Sequence, residues 1–410
     1  MTWFDSWKED KEKVLSRENY SDLSKVVAQF GDLPEDERIS FPLKPGQIGR
    51  ILTGQEKGYI YSRTGSPVKD ELEKRLRLLE TESELIDAVV FSSGMAANST
   101  TIEAIARLSN GKRFVCGSQL YSSTRENFER LLPAGLKETI FIDTSDPKKV
   151  RKVIEEHDDI IAIFYETITN PTLKYTDTRE IADIVNGRFP IIVDNTWLTP
   201  YLQQPLKMGA DIVVHSTSKY LNGEGDVLGG VVIGPKEFIN AEFGPRYLRK
   251  HKGAVPGVTD VKKIAERLKT FPERMERHCY NAVEVLLYLM HSPFVKEVFP
   301  LHDDISGKTK DSNFGGVVSF ILNGENIEDV REKEKRLMQF FAENEGPIKY
   351  EVSLGAPHSL IFGYLSIDND EYLKKNNIPY GLVRLCIGSH KDPHEVIKYL
   401  ELGLIAAYKD

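Results

Sequence analysis

Short runs of β-branched and aromatic residues, each closing on small polar residues and followed by a helical stretch, constrain the fold of this chain more than any other feature. Residues 88–91 (AVVF) end in Ser92-Ser93-Gly94 before a helical stretch that continues through Ile105. The unit recurs at residues 159–165 (DIIAIFY), 190–194 (PIIVD), 211–216 (DIVVHS) and 229–234 (GGVVIG). Strands this short and this apolar are buried on both faces, so the alternation predicts an α/β fold with a mostly parallel sheet covered by helices. No internal repeat of fixed period accompanies it.

The flanking segments differ. Residues 1–58 are polar and broken by Pro34, Pro42 and Pro45, with one amphipathic stretch near 23–30, and read as an arm that packs on something else. Leu72, Leu76 and Leu79 fall at helical spacing within residues 69–80 and predict a surface helix. Beyond residue 256 the predicted helices lengthen (260–268, 274–289, 327–341). Strands at 316–322 and 382–387 complete a smaller α+β unit. The expected division is therefore an arm at 1–58, a large domain at 59–256 and a small C-terminal domain at 257–410.

Composition limits the function. The 410 residues suffice to enclose a pocket at a domain boundary, and 54 basic against 62 acidic side chains leave 54 − 62 = −8 with no basic tail. Nucleic acid and anionic membrane are poor partners for such a charge. No apolar run approaches the roughly 18 residues of a membrane helix, and the first 20 residues are too charged for a signal peptide, so a cytoplasmic location is expected. Cys116, Cys279 and Cys386 are far apart and odd in number, which argues against a disulfide framework. The helically spaced His390 and His394 are interrupted by Pro393, and no metal site is expected.

Ligands of open parallel sheets bind outside the carboxyl ends of the strands. Four predicted strand ends carry polar residues there. Ser92-Ser93-Gly94-Met95 opens a helix, and its free amides suit a phosphate, although Ser93 could simply cap the helix. The others are Tyr165-Glu166 with Asn170-Pro171, Asp194-Asn195-Thr196, and His215-Ser216-Thr217-Ser218-Lys219. Asp194 and Lys219 stand 219 − 194 = 25 residues apart, the length of a crossover and a returning parallel strand, which places both at one sheet edge.

Residues 193–230, VDNTWLTPYLQQPLKMGADIVVHSTSKYLNGEGDVLGG, closely resemble the cofactor-attachment segment of the Cys/Met-metabolism enzymes that use pyridoxal 5'-phosphate (PLP). That family includes cystathionine gamma-synthase, cystathionine beta- and gamma-lyases, methionine gamma-lyase and the O-acylhomoserine sulfhydrylases. Further matches run from Tyr59 to about residue 400: GYIYSRTGSP, VVFSSGMAA, QLYSST, ETITNPTLKYTD, ERMERHCYNA, VSLGAPHSL and GLVRLCIG. The resemblance implies the fold type I of PLP-dependent transferases, with Lys219 as the attachment residue that later shuttles protons. A free lysine of pKa ~10.4 is neutral in only about 1 part in 2,500 at pH 7, so such a site must depress it. The resemblance further implies Asp194 on the pyridine nitrogen. It gives Ser93, Gly94, Met95, Ser216 and Ser218 as the phosphate cradle, with Thr196 among the cofactor contacts. Tyr121 would stack on the ring, while Tyr61 and Arg63 reach in from a second copy. Asn170, Ser353 and Arg384 would hold cofactor and substrate, Arg384 taking the α-carboxylate as a bidentate fork. A homotetramer with shared sites, an amino-acid substrate, and catalytic roles for Lys219, Tyr121, Tyr61 and Asp194 complete the implication.

Departures from the family pattern bear on specificity. Glu126 stands where several relatives have an arginine for a distal acidic group, Ser123 replaces the cysteine of methionine gamma-lyases, and Val352 replaces a glutamate of human-type cystathionine gamma-lyases. Residues 361–366 lack the usual Pro-rich segment. The expected reaction is γ-elimination or γ-replacement on a γ-substituted L-amino acid, with β-elimination of cystathionine beta-lyase type as the alternative and Glu126 disfavouring an anionic distal group. An aminotransferase and a non-catalytic homologue are the competing classes, the latter opposed by the presence of both Lys219 and Asp194. A nicotinamide dehydrogenase is opposed by the absence of a strand followed by GxGxxG.

Overall fold

In the computed structural model the described residues are 2–16, 20–36, 38–131, 138–300, 305–365 and 370–409. The large sheet contains β1 (Ile86–Phe91), β2 (Arg113–Gly117), β3 (Glu138–Ile142), β4 (Ile160–Glu166), β5 (Ile191–Asp194), β6 (Ile212–His215) and β7 (Gly230–Pro235). Their spatial order is β1-β7-β6-β5-β4-β2-β3. Only the two pairings made by β7 are antiparallel. β1 to β6 therefore share one direction, and their carboxyl ends open on one edge.

β4, β5, β6 and β7 are buried along their whole length, which is why they read as unbroken apolar runs. β2 and β3 escaped the sequence reading. β3 is the sheet's edge, exposed at Glu138 and partly exposed along the rest. Helices α1 (Trp3–Lys11), α2 (Leu23–Val27), α3 (Gln47–Leu52), α4 (Pro67–Glu80), α5 (Gly94–Leu108) and α6 (Ser122–Arg130) precede or alternate with these strands. No helix among the described residues is long and apolar enough to cross a membrane.

The second sheet has β8 (Val295–Phe299), β9 (Val317–Leu322), β10 (Ile348–Tyr350), β11 (Ser359–Gly363) and β12 (Leu382–Cys386), in the order β10-β11-β12-β9-β8. It is antiparallel except for β10 with β11. Helices Phe271–Met290, Ile327–Glu343 and Pro393–Ala407 cover it. One continuous apolar cluster joins both sheets, from Val193 and Tyr220 to Val318 and Leu385.

The start of the chain corrects the expectation that it packs on something else. Phe4, Trp7, Val14, Leu23, Val26 and Phe30 are buried in that same cluster. The anchor is Asp211, fully buried at the start of β6. Its carboxylate accepts from Trp7 Nε1 at 2.7 Å and from Ile191 N at 2.8 Å, and lies 2.7 Å from Lys11 Nζ. A buried charge requires such partners. By contrast Ile39, Ile48 and Leu52 are exposed. Trp7→Ala should cost about 3 kcal/mol locally. Limited proteolysis is expected to remove the first thirty or so residues faster than in the wild type while the remainder stays intact; unchanged cleavage would contradict the anchor.

Candidate active site

The carboxyl ends of β1, β4, β5 and β6 converge on a cavity of about 210 Å³. At β1, Ser93 caps α5 with its hydroxyl, accepting from Ala96 N at 3.1 Å. The cap and the anion site of the sequence reading are thus one place, where Ser93, Gly94 and Met95 line the cavity at the helix start. A Cβ at Gly94 would lie 2.7 Å from Ser216 Cβ, so glycine there lets β6's exit loop close against the helix start. Ser216 and Ser218 line the same cavity. The Ser218 hydroxyl accepts from Gly229 N at 2.9 Å and can turn its proton from the Gly229 carbonyl, 3.2 Å away, towards a ligand.

Asp194 ends β5 on the cavity floor. Asn98 Nδ2 donates to one carboxylate oxygen at 3.0 Å, while Thr196 donates to the other through its amide at 3.0 Å and its hydroxyl at 2.6 Å. Register sets Glu166, the last residue of β4, beside it. Burial first, then the charge of Asp194, pushes the Glu166 carboxyl well above the usual range. Its Oε1 accepts from Tyr121 N and so fixes the start of α6, where the half-exposed Tyr121 side chain lines the cavity.

Lys219 lies where this cavity meets a second one of about 300 Å³, and it lines both. Its Nζ donates to Ser353 Oγ at 2.7 Å. Burial lowers its pKa and the Arg384 guanidinium pushes the same way, against a smaller opposing effect of Cys386. Arg384, buried at the centre of β12, donates to Asn170 Oδ1 at 3.0 Å and the Ser353 carbonyl at 3.3 Å, leaving Nε without a partner among the described residues. Ser353 has φ 152°, a region costing non-glycine residues roughly 1–3 kcal/mol. Gly355 has φ 79°, and a Cβ there would meet Tyr220 N at 2.5 Å, so the 353–355 turn is pressed directly on the Lys219 backbone. From the other side, His278 packs edge-on against Tyr220 at 5.0 Å and bonds the Ile387 carbonyl through Nδ1 at 2.7 Å.

Not every predicted residue joins the site. Tyr61 and Arg63 are exposed and line neither cavity; Arg63 donates to the Lys250 carbonyl at 3.1 Å. Glu126 is also outside both cavities. It lies on the exposed face of α6, paired with Arg130 one turn on at 2.9 Å, because Thr124, Asn127 and Phe128 form the buried face. Residue Ser366 of the divergent 361–366 stretch lies outside the described residues. Residues not singled out beforehand are Asn98, Trp197 and Tyr364. Asn98 could have been found one helical turn after Gly94, and Trp197 directly after Thr196; Tyr364 had no signal beyond its place in a divergent stretch.

Residues 42–404 match the family described as Cys/Met metabolism PLP-dependent enzyme. An L-methionine gamma-lyase of Fusobacterium nucleatum subsp. polymorphum is 37% identical over 371 residues, 87% of this chain and 89% of the relative. A cystathionine gamma-lyase of Bacillus subtilis (strain 168) is 35% identical over 378 residues, 89% of this chain and 94% of the relative. The crystal structure of cystathionine gamma synthase from Xanthomonas oryzae pv. oryzae in complex with cystathionine superposes with a TM-score of 0.80 at 26% identity, covering 94% of this chain and 98% of that one. The cavity fits PLP on its own chemistry. It offers a helix start with Ser216 for a phosphate, a buried carboxylate for a ring nitrogen, and an amine of lowered pKa for an aldehyde. Two buried wall atoms, Trp197 Nε1 and Asn98 Oδ1, also lack partners among the described residues.

Burial depresses His278 to about 4 from 6.5, outweighing the opposing Ile387 carbonyl. It is neutral when folded, whereas the unfolded chain takes up its proton near 6.5, so the stability it lends is present above pH 6.5 and is lost as the pH falls towards 4. Between those limits the urea midpoint should drop further in the wild type than in His278→Phe, by the equivalent of about 2 to 3 kcal/mol. Parallel pH profiles would contradict this.

Proposed function

The chain belongs to the Cys/Met metabolism family of PLP-dependent enzymes, and from that premise we propose that it catalyses γ-elimination or γ-replacement on a γ-substituted L-2-amino acid, a homoserine ester or a sulfur amino acid. The observation that carries the proposal is the position of Lys219 Nζ at the junction of the two cavities, beside Ser353 and Arg384. A γ-reaction needs protons taken from both Cα and Cβ before the group on Cγ departs. An amine of lowered pKa on a four-carbon stem, partly buried where both cavities are within its reach, suits that double task.

When bound, PLP supplies the electron sink that makes the Cα proton acidic. In the proposed arrangement Ser93, Gly94, Met95, Ser216 and Ser218 hold its phosphate. Asp194, steadied by Asn98 and Thr196, holds the ring nitrogen protonated, and Tyr121 covers the ring. Arg384 takes the substrate carboxylate, with Asn170 and Ser353 fixing the guanidinium and the amine in relation to each other. Tyr61 and Arg63 would complete the site of a second copy, in a cytoplasmic homotetramer built as a dimer of dimers. A relative named L-methionine gamma-lyase at 37% identity keeps methionine among the candidates, against the replacement by Ser123 of the cysteine of that class.

Incubating the holoenzyme with γ- and β-substituted amino acids and identifying the 2-oxo acid tests the reading. Release of 2-oxobutyrate, or of a γ-replacement product when a thiol is supplied, is expected. Pyruvate alone would indicate β-elimination instead. Arg384→Lys loses the planar fork, and a rise in KM of about ten- to a hundredfold is expected, each charge-assisted bond contributing about 1.5–3 kcal/mol. If sites are shared, inactive Lys219→Ala and inactive Arg63→Ala subunits, unfolded and refolded together, should regain activity; persistent inactivity of the mixed oligomer would refute sharing.

A further inference from the structure

The second cavity is charged at one end only. Among the described residues lining it, Lys219 and Arg384 are the sole charged side chains; Lys219 also lines the first cavity, and Arg384 bonds Asn170, which lines both. Resting on the γ-reading above, we infer that Phe362 and Tyr364 form an aromatic wall that selects a neutral, apolar group on Cγ, such as a methylthio group or an acetyl ester, over an anionic one.

Antiparallel register sets Phe362 of β11 directly opposite Arg384 of β12, and residues so paired share one face of the sheet. The neighbour of the carboxylate-binding arginine is thus an aromatic ring. Tyr364 meets that ring edge-on at 5.3 Å, and Tyr350 stacks on it at 6.2 Å. The wall is tied to the carboxylate end, because Tyr364 Oη donates at 3.3 Å to Asn170 Oδ1, the atom that also accepts from Arg384.

Val352 and Ile378 continue the apolar lining. The polar Gln119 is already committed. Its Nε2 donates to the carbonyls of Asn376 and Asn377 at 3.0 and 3.1 Å, and its Oε1 accepts from the Thr172 hydroxyl. With Arg384 engaged by the α-carboxylate and Lys219 occupied in proton transfer at Cα and Cβ, a second carboxylate beyond Cγ would lose water and meet no further cation among the described residues lining this cavity. A thioether or acetyl group instead buries apolar surface, and sulfur packs favourably against aromatic rings. Discrimination against a distal anion therefore comes from this wall and the absence of a counter-charge, with no part for the surface-paired Glu126.

The test is kcat/KM of the holoenzyme for 2-oxobutyrate release from L-methionine, O-acetyl-L-homoserine and O-succinyl-L-homoserine. The neutral substrates should exceed the succinyl ester by at least about thirtyfold. Phe362→Arg supplies a cation and should raise kcat/KM for the succinyl ester while lowering that for methionine, shifting the ratio by about tenfold or more. Tyr364→Phe keeps the ring, so the ratio should hold while KM rises for every substrate as Asn170 loses a donor. Equal or better use of the succinyl ester by the wild type overturns this inference alone, and that result does not depend on whether either variant folds. An unmoved ratio in folded Phe362→Arg also overturns it. Absence from all three substrates of both 2-oxobutyrate and, with a thiol supplied, a γ-replacement product overturns the γ-reading, and the inference with it.

Discussion

The site depends on keeping one primary amine out of water. Lys219 follows the exit of β6, and its Nζ is enclosed by the second sheet, where Arg384 opposes its protonation and Ser353 offers a single acceptor. Neither sheet alone could produce that environment. The parallel sheet supplies the edge at which Asp194 and Ser216 emerge, and the antiparallel sheet supplies the guanidinium and the turn at 353–355 that is pressed on the lysine's backbone. The continuous apolar cluster between them therefore holds the chemistry in place as well as the fold.

Polar groups around the cavity are arranged in pairs with contrasting surroundings. Asp194 is given three donors, whereas the adjacent Glu166 receives only the Tyr121 amide and is driven towards its neutral form. Two carboxyl groups side by side cannot cheaply both ionise, and burial together with the neighbouring carboxylate raises Glu166. The same economy governs the second cavity, where Asn170 Oδ1 accepts from both Arg384 and Tyr364 and links carboxylate recognition to the distal wall.

Much of this was legible in the sequence. β1 and β4 to β7, with the polar residues at their ends, were readable from buried apolar runs, whereas the equally buried β2 was not. Nor were the edge strands: β3 is partly exposed, and β10 is three residues long. The arm misled for a similar reason, since its polar composition hid Trp7, whose burial depends on Asp211 some 200 positions away. Asp194 and Lys219 could be placed together from spacing, whereas Glu126 could not be placed at all, because the face of α6 it occupies is decided by Asn127 and Phe128 packing inward. Phe362 and Tyr364 stand in a stretch where the family pattern breaks, and only the pairing of β11 with β12 reveals what they adjoin.

The covalent partner of the cofactor is the most direct point at which to test this account. Borohydride reduction of the holoenzyme, followed by digestion and mass mapping, should fix the pyridoxyl group on the peptide that contains Lys219 and on no other. A tag on a different lysine, or no tag on a protein that retains its cofactor absorbance, would contradict it.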